Sequence, residues 1–107
     1  MLPEITPAQL KAKLDASEKI QLIDVRQPEE FEYCQIAGSQ LIPLPEIPKR
    51  YAEIAKNPEA VIICHHGFRS AQAIQFLMQR YGYTNLLNLK GGIHAWAEQA
   101  DPQMPVY

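Results

Sequence analysis

The segment that most constrains this chain is Val61-Ile62-Ile63, three β-branched apolar residues in unbroken succession. A strand with one wet face alternates polar and apolar positions. A strand without a polar position is covered on both faces, as in parallel sheets. Parallel strands need long crossovers, and the flanking segments supply them. Ser70 to about Tyr81 predicts a helix with Ile74, Leu77, Met78 and Tyr81 on one stripe, stopped by Gly82. Leu86-Leu87-Asn88-Leu89 reads as a further strand, Gly91-Gly92 breaks the chain, and Ile93 to about Ala100 predicts a last helix with Trp96 inward.

On the N-terminal side, Thr6-Pro7-Ala8-Gln9 is a helix start: Thr6 caps, Pro7 suits the first turn, and Gln9 completes a capping box. Ile5 and Leu10 stand where a hydrophobic staple would, and the helix is expected to reach about Ala16 with Leu10 and Leu14 inward. Gln21 to Val25 reads as a buried strand, and Pro28-Glu29-Glu30-Phe31 as a helical turn. Leu41-Ile42 reads as a short strand closed by Pro43. Ile47, Tyr51 and Ile54 recur at helical spacing between Pro45 and Asn57-Pro58, predicting one more helix. Strands alternating with helices predict an α/β fold with a mainly parallel sheet covered on both sides.

The 107 residues suggest one domain spanning 1–107. A formal net charge of −2 argues against nucleic acid or an anionic membrane as partner. No segment approaches the roughly 18 apolar residues of a membrane span. The start MLPEITPAQL has neither a basic end nor an apolar run, so no signal peptide is expected. Two cysteines, Cys34 and Cys64, are too few for a disulfide scaffold and suit free thiols in a reducing cytoplasm.

The chemistry concentrates where the Val61–Ile63 strand stops, in Cys64-His65-His66-Gly67-Phe68-Arg69-Ser70. Ligands of open parallel sheets sit beyond the carboxyl ends of the strands. The thiol has three readings: a small core residue, a metal ligand or a nucleophile. Adjacent histidines tend to point apart, and His94 and Cys34 can join them only through the fold, so no metal is expected. The residues after Cys64 favour the nucleophile. Their backbone N–H groups and the following helix start form an anion cradle that stabilises thiolate over thiol. Gly67 permits a backbone angle that a Cβ blocks. Arg69 offers two-point anion recognition, and Ser70 can cap the helix. This reading requires Cys64 to be open to small anionic reagents.

Four segments together resemble the rhodanese-like single-domain sulfurtransferases. Asp24-Val25-Arg26 with Glu30-Phe31 is similar to that family's DVR…EF segment, and Ile36 to Ser39 with Leu41 to Leu44 to its IxGAxxIPL stretch. Cys64 to Ser70 is similar to its active-site loop, and Leu89 to Trp96 to its LxGGxxAW ending. The resemblance implies a three-layer α/β/α domain with a mainly parallel five-stranded sheet. It also implies a thiosulfate sulfurtransferase with Cys64 catalytic and with His65, His66, Gly67, Phe68, Arg69 and Ser70 binding substrate. The partners implied are a small anionic sulfur donor such as thiosulfate and a thiol or protein sulfur acceptor, with no cofactor. A sulfur-carrier or adaptor module is the alternative. A phosphatase or arsenate reductase of the same fold is disfavoured, because cysteine phosphatases use Cys-x5-Arg whereas Cys64 and Arg69 enclose four residues. Where the family commonly has Gly-His before its IxGA stretch, this chain has Cys34-Gln35.

The remaining polar residues read structurally. Asp24 is expected to bond nearby backbone N–H groups, Arg26 to pair with Glu29 or Glu30, and Glu29-Glu30-Glu32 to form a solvated face. Trp96 reads as core. Phe68 is an apolar loop residue that either meets a partner or packs on its own loop. Cys34 reads as a semi-buried small residue, or, in a sharper version, as a resolving thiol.

Overall fold

Thr6 closes the first strand and opens the first helix. Its Oγ1 accepts the Gln9 N–H at 3.1 Å, and Gln9 Oε1 accepts the Thr6 N–H at 2.9 Å, completing the predicted capping box. The computed structural model, which describes residues 2–107, runs from this corner through β1 (Glu4–Ile5), α1 (Pro7–Asp15), β2 (Gln21–Asp24), α2 (Pro28–Tyr33) and β3 (Gln40–Leu41). It continues through α3 (Ile47–Arg50), β4 (Ala60–Ile63), α4 (Phe68–Tyr81), β5 (Leu86–Leu89) and α5 (Gly92–Gln99). The five strands pair in the order β1-β5-β4-β2-β3, and every pairing is parallel.

Alternation along β4 divides the core. Ala60, Ile62 and Cys64 face Ile23, Ile42, Ile47, Ala73, Ile74 and Leu77, beneath α3 and α4. Val61 and Ile63 face Leu10, Leu22, Ile36, Leu89, Ile93 and Trp96, beneath α1 and α5. Each face of the sheet is therefore sealed, giving the expected three layers, and Trp96 is core as expected. Among the described residues no helix is long and apolar enough to cross a membrane.

Three expectations are corrected. The helix expected through Ile47, Tyr51 and Ile54 is instead a single turn, α3, flanked by 3-10 turns at Leu44–Glu46 and Tyr51–Glu53. Pro45 and Pro48 remove N–H donors that a continuous ladder needs. α4 starts at Phe68, two residues early, because Gly67 takes the capping position with φ 105°. Ser70 therefore lies inside the first turn and is not the cap. Met78, expected inward, is 40% exposed. The inner stripe runs through Ser70, Ala73, Ile74 and Leu77 instead.

Candidate active site

β2 and β4 lie side by side and in register, Asp24 opposite Ile63, and the Val25 N–H donates to the Ile63 carbonyl at 2.9 Å. From these neighbours the chain departs in opposite directions: β2 leads outward to β3, and β4 leads through α4 to β5 on its other side. That divergence leaves a crevice at the carboxyl ends of the two strands. The Asp24-Val25-Arg26 segment and the Cys64 loop both open onto it.

Cys64 ends β4 on the α4 side. Its Sγ accepts the Gly67 N–H at 3.0 Å and lies 3.2 Å from Ser70 Oγ. Ser70 Oγ donates to Asn88 Oδ1 at 2.5 Å, and Asn88 Nδ2 donates to the Gly67 carbonyl at 3.1 Å. With the Ser70 proton committed to Asn88, the Ser70 oxygen is free to accept the Cys64 thiol proton. The network is thus complete for a neutral thiol. A thiolate keeps the Gly67 donor and gains a second one once the Ser70 hydroxyl turns from Asn88 to sulfur. The first-turn amides of α4 lack partners within their own helix and add the positive end of its dipole.

The opposite side of the loop is held by α5. The Ile93 and His94 N–H groups donate to the carbonyls of Cys64 (2.8 Å) and His65 (3.1 Å). Each peptide plane carries its N–H opposite its carbonyl, so pulling these carbonyls toward α5 turns the following amides away from it. Gly92 makes this contact possible. At its φ of 65°, a Cβ there would lie 2.6 Å from the Cys64 carbonyl oxygen and closer still to the His65 carbonyl.

Cys64 is only 1% exposed, so the expected open thiol is corrected. Its sulfur sits below the loop, where it packs against the apolar neighbours of the α3 and α4 face. Arg69 is at the rim, with both terminal nitrogens bound to Glu30, at 2.7 and 2.9 Å. The expectation of a fully solvated acidic face therefore fails at Glu30, which α2 carries to the loop. The Arg69 hydrogen bond holds the Glu30 carboxyl well below its ordinary value, at about 2.

Tyr107 completes the rim. Its hydroxyl accepts from Arg26 Nη1 and donates to Glu30 Oε2, both at 2.8 Å. Its ring stacks on His65 at 3.9 Å, and its main-chain oxygen lies 2.6 Å from His65 Nε2. Burial pushes the Tyr107 phenol up to about 12. Burial also lowers the basicity of His65. Arg26 does not pair with the Glu29 or Glu30 side chains. It is fully buried against Asp24, through Nε to Oδ1 (2.9 Å) and Nη2 to Oδ2 (2.7 Å), because its neighbour two residues back is the nearer carboxylate. Asp24 also accepts the Arg26 N–H at 3.1 Å, as its structural reading required.

The structure thus gathers Cys64, Gly67 and Ser70 at the sulfur and places His65 and Arg69 at the rim. Phe68 points outward, 80% exposed. His65 and His66 do not point apart. The bend in the loop brings their ring centroids to 4.0 Å, tilted 31° to one another, and His94 joins them from α5. Cys34 lies in the core cluster on the other face of the sheet from Cys64, so the fold does not bring the two thiols together. Sequence reasoning missed Asn88 and Tyr107. Asn88 carried a signal, a lone polar residue within an apolar strand.

Fold and loop define a domain that presents one cysteine sulfur at a helix N-terminus. Residues 6–99 match the model of the Rhodanese-like domain family, and the chain belongs to that family. It is 41% identical over 102 residues to a protein of Allochromatium vinosum named sulfurtransferase, covering 95% of this chain and 94% of that one. It is 40% identical over 105 residues to the Mycobacterium tuberculosis protein named "Probable adenylyltransferase/sulfurtransferase MoeZ", covering 96% of this chain but only 26% of that protein. The crystal structure of a rhodanese-like domain protein from Staphylococcus aureus superposes with a TM-score of 0.83 at 34% identity, covering 99% of both chains.

Proposed function

We propose that this chain is a sulfurtransferase that moves a sulfane sulfur through a persulfide on Cys64. The observation that carries this reading is the set of donors around one sulfur. The Gly67 N–H is already directed at Sγ, the Ser70 hydroxyl is within reach, and the N-terminus of α4 lies behind both. Such donors favour the charged sulfur of a thiolate and of a terminal persulfide alike.

In the proposed cycle, ionised Sγ attacks the outer sulfur of thiosulfate or a related donor. A new S–S bond forms, the donor's S–S bond breaks, and its electron pair leaves with sulfite. An acceptor nucleophile, a thiol or a protein, then attacks the terminal sulfur. The persulfide bond breaks and its pair returns to Cys64 as thiolate. The donor anion is received by the loop, His65 to Ser70, with Arg69 supplying fixed positive charge at the rim. Because Glu30 occupies both terminal nitrogens of Arg69, an anion must compete with that carboxylate. A thiol that cycles in this way needs a reducing compartment, and we place the protein in the cytoplasm on that ground.

The burial of Cys64 favours a second reading, a sulfur carrier that shelters its persulfide until a partner docks. One experiment separates the two. After incubation with thiosulfate, intact-mass spectrometry is expected to show the chain heavier by one sulfur atom, and Cys64→Ser to show no gain. Rapid thiocyanate release on adding cyanide marks the enzyme; retention of the sulfur marks the carrier. Hydrolysis of an aryl phosphate with no sulfur gain sinks both readings.

A further inference from the structure

The chain has three histidines, and all three meet beside the Cys64 loop. One ring nitrogen of each lies within 4.8 Å of those of the other two. The ring centroids are 4.0 Å apart for His65 and His66, 5.0 Å for His66 and His94, and 6.1 Å for His65 and His94.

Hydrogen bonding assigns the proton of His65. His65 Nε2 lies 2.6 Å from the main-chain oxygen of Tyr107. That oxygen only accepts, so Nε2 carries the proton and Nδ1 keeps its lone pair. His94 Nε2 lies 3.4 Å from Glu98 Oε1, an ion-pair distance with no hydrogen bond between them. The remaining nitrogen, His94 Nδ1, is buried and has no hydrogen-bond partner. His66 is exposed, so its ring can turn to present either nitrogen. A ring nitrogen that donates to a carbonyl, as His65 Nε2 does here, leaves the other nitrogen's lone pair for a metal.

We propose that His65, His66 and His94 form a binding site for a divalent first-row transition-metal ion, with Zn2+ its representative. Three imidazoles suit such an ion and leave a fourth position open. Donors around a tetrahedral zinc stand about 3.4 Å apart, so the rings must close by at most about an ångström and a half, which side-chain rotation supplies. The ion bridges the β4 loop and the first turn of α5, two segments already joined by the His94 N–H to His65 carbonyl bond. It sits beside the Cys64–Ser70–Asn88 network without using any member of it. The site therefore stands whether or not Cys64 carries sulfur.

The test is calorimetric titration of the metal-free chain with Zn2+, paralleled by visible absorption with Co2+. One ion per chain is expected, with the intense absorption of tetrahedral Co2+. His66→Gln and His94→Gln are each expected to weaken Zn2+ binding by more than about tenfold, since loss of an outer partner alone costs that much. Cys64→Ser is expected to leave both signals in place. His66→Gln changes an exposed side chain, so its result does not depend on a folding defect. Absence of Zn2+ binding, unchanged affinity in both histidine variants, or loss of binding in Cys64→Ser overturns the proposal.

Discussion

Two arginine–carboxylate pairs stand side by side at the crevice, and they differ in almost everything except chemistry. Asp24 and Arg26 are two residues apart, and both side chains are 0% exposed. Glu30 and Arg69 are far apart in the chain, joined only by the fold, with side chains 20% and 33% exposed. The first pair is local and sealed. Arg26 also donates to the carbonyls of Glu30 and Cys34, so it ties the end of β2 to α2. The second is a clasp between α2 and the start of α4, at the rim where a donor anion would arrive. The Tyr107 hydroxyl touches both, accepting from Arg26 and donating to Glu30. The difference teaches that one ion-pair chemistry serves two ends: desolvation locks the first into the architecture, and partial solvation leaves the second exchangeable.

The largest expected effect comes from breaking the sealed pair. Arg26→Leu leaves the Asp24 carboxylate buried without its cation and strips hydrogen bonds from two carbonyls. Urea denaturation is expected to show a loss of about 3–5 kcal/mol. Replacing both members by apolar residues is expected to recover part of that, because the stranded charge is gone. A loss no larger than that of Glu30→Gln erases the distinction between the two pairs.

That distinction was only half legible in the residues. Four strands could be read, because each carries an apolar run; β1 could not, since two residues, Glu4 and Ile5, show no period. The capping box and the placement of Cys64 at the end of β4 were legible, because local chemistry fixes them. Glu30 was read as solvated, since nothing in a cluster of acids tells which one the fold will carry to Arg69. The gathering of His65, His66 and His94 was hidden for the same reason: loop curvature and the docking of α5 decide it. As a nucleophile Cys64 was expected to be open to small anionic reagents, and its burial follows from a side-chain direction at the end of β4 that alternation predicts only once the register is known. Asn88 was legible as an oddity but not as the brace for Ser70 and Gly67.

The next effect concerns acid. The Glu30 carboxyl falls from 4.5 in its ordinary state to about 2 in the fold, chiefly through the Arg69 hydrogen bond. A depressed folded value stabilises the protein above pH 4.5, and that stabilisation drains away as pH drops toward 2. After allowing for screening by solvent, it amounts to about 2 kcal/mol. Glu30→Gln is expected to remove this acid-dependent part, so the stability gap between the two proteins closes as pH falls through this window. A gap that holds constant from neutral pH to pH 2 means the rim pair is as insulated as the sealed one. The same variant frees Arg69, so a lower KM for thiosulfate is expected if Arg69 receives the donor.

The smallest effect tests the link between the pairs. Tyr107→Phe deletes one hydroxyl and leaves the ring on His65. Arg26 retains Asp24 and Glu30 retains Arg69, so neither charge is stranded, and the expected loss is about 1 kcal/mol. Glu30 loses one donor to its charged form, so its acid midpoint is expected to rise modestly, which an NMR pH titration of its side-chain carboxyl reads directly. In a double-mutant cycle, Tyr107→Phe is expected to couple to Glu30→Gln, because the two residues share a hydrogen bond. Additive losses and an unmoved Glu30 midpoint mean that the hydroxyl merely fills space between two independent ion pairs.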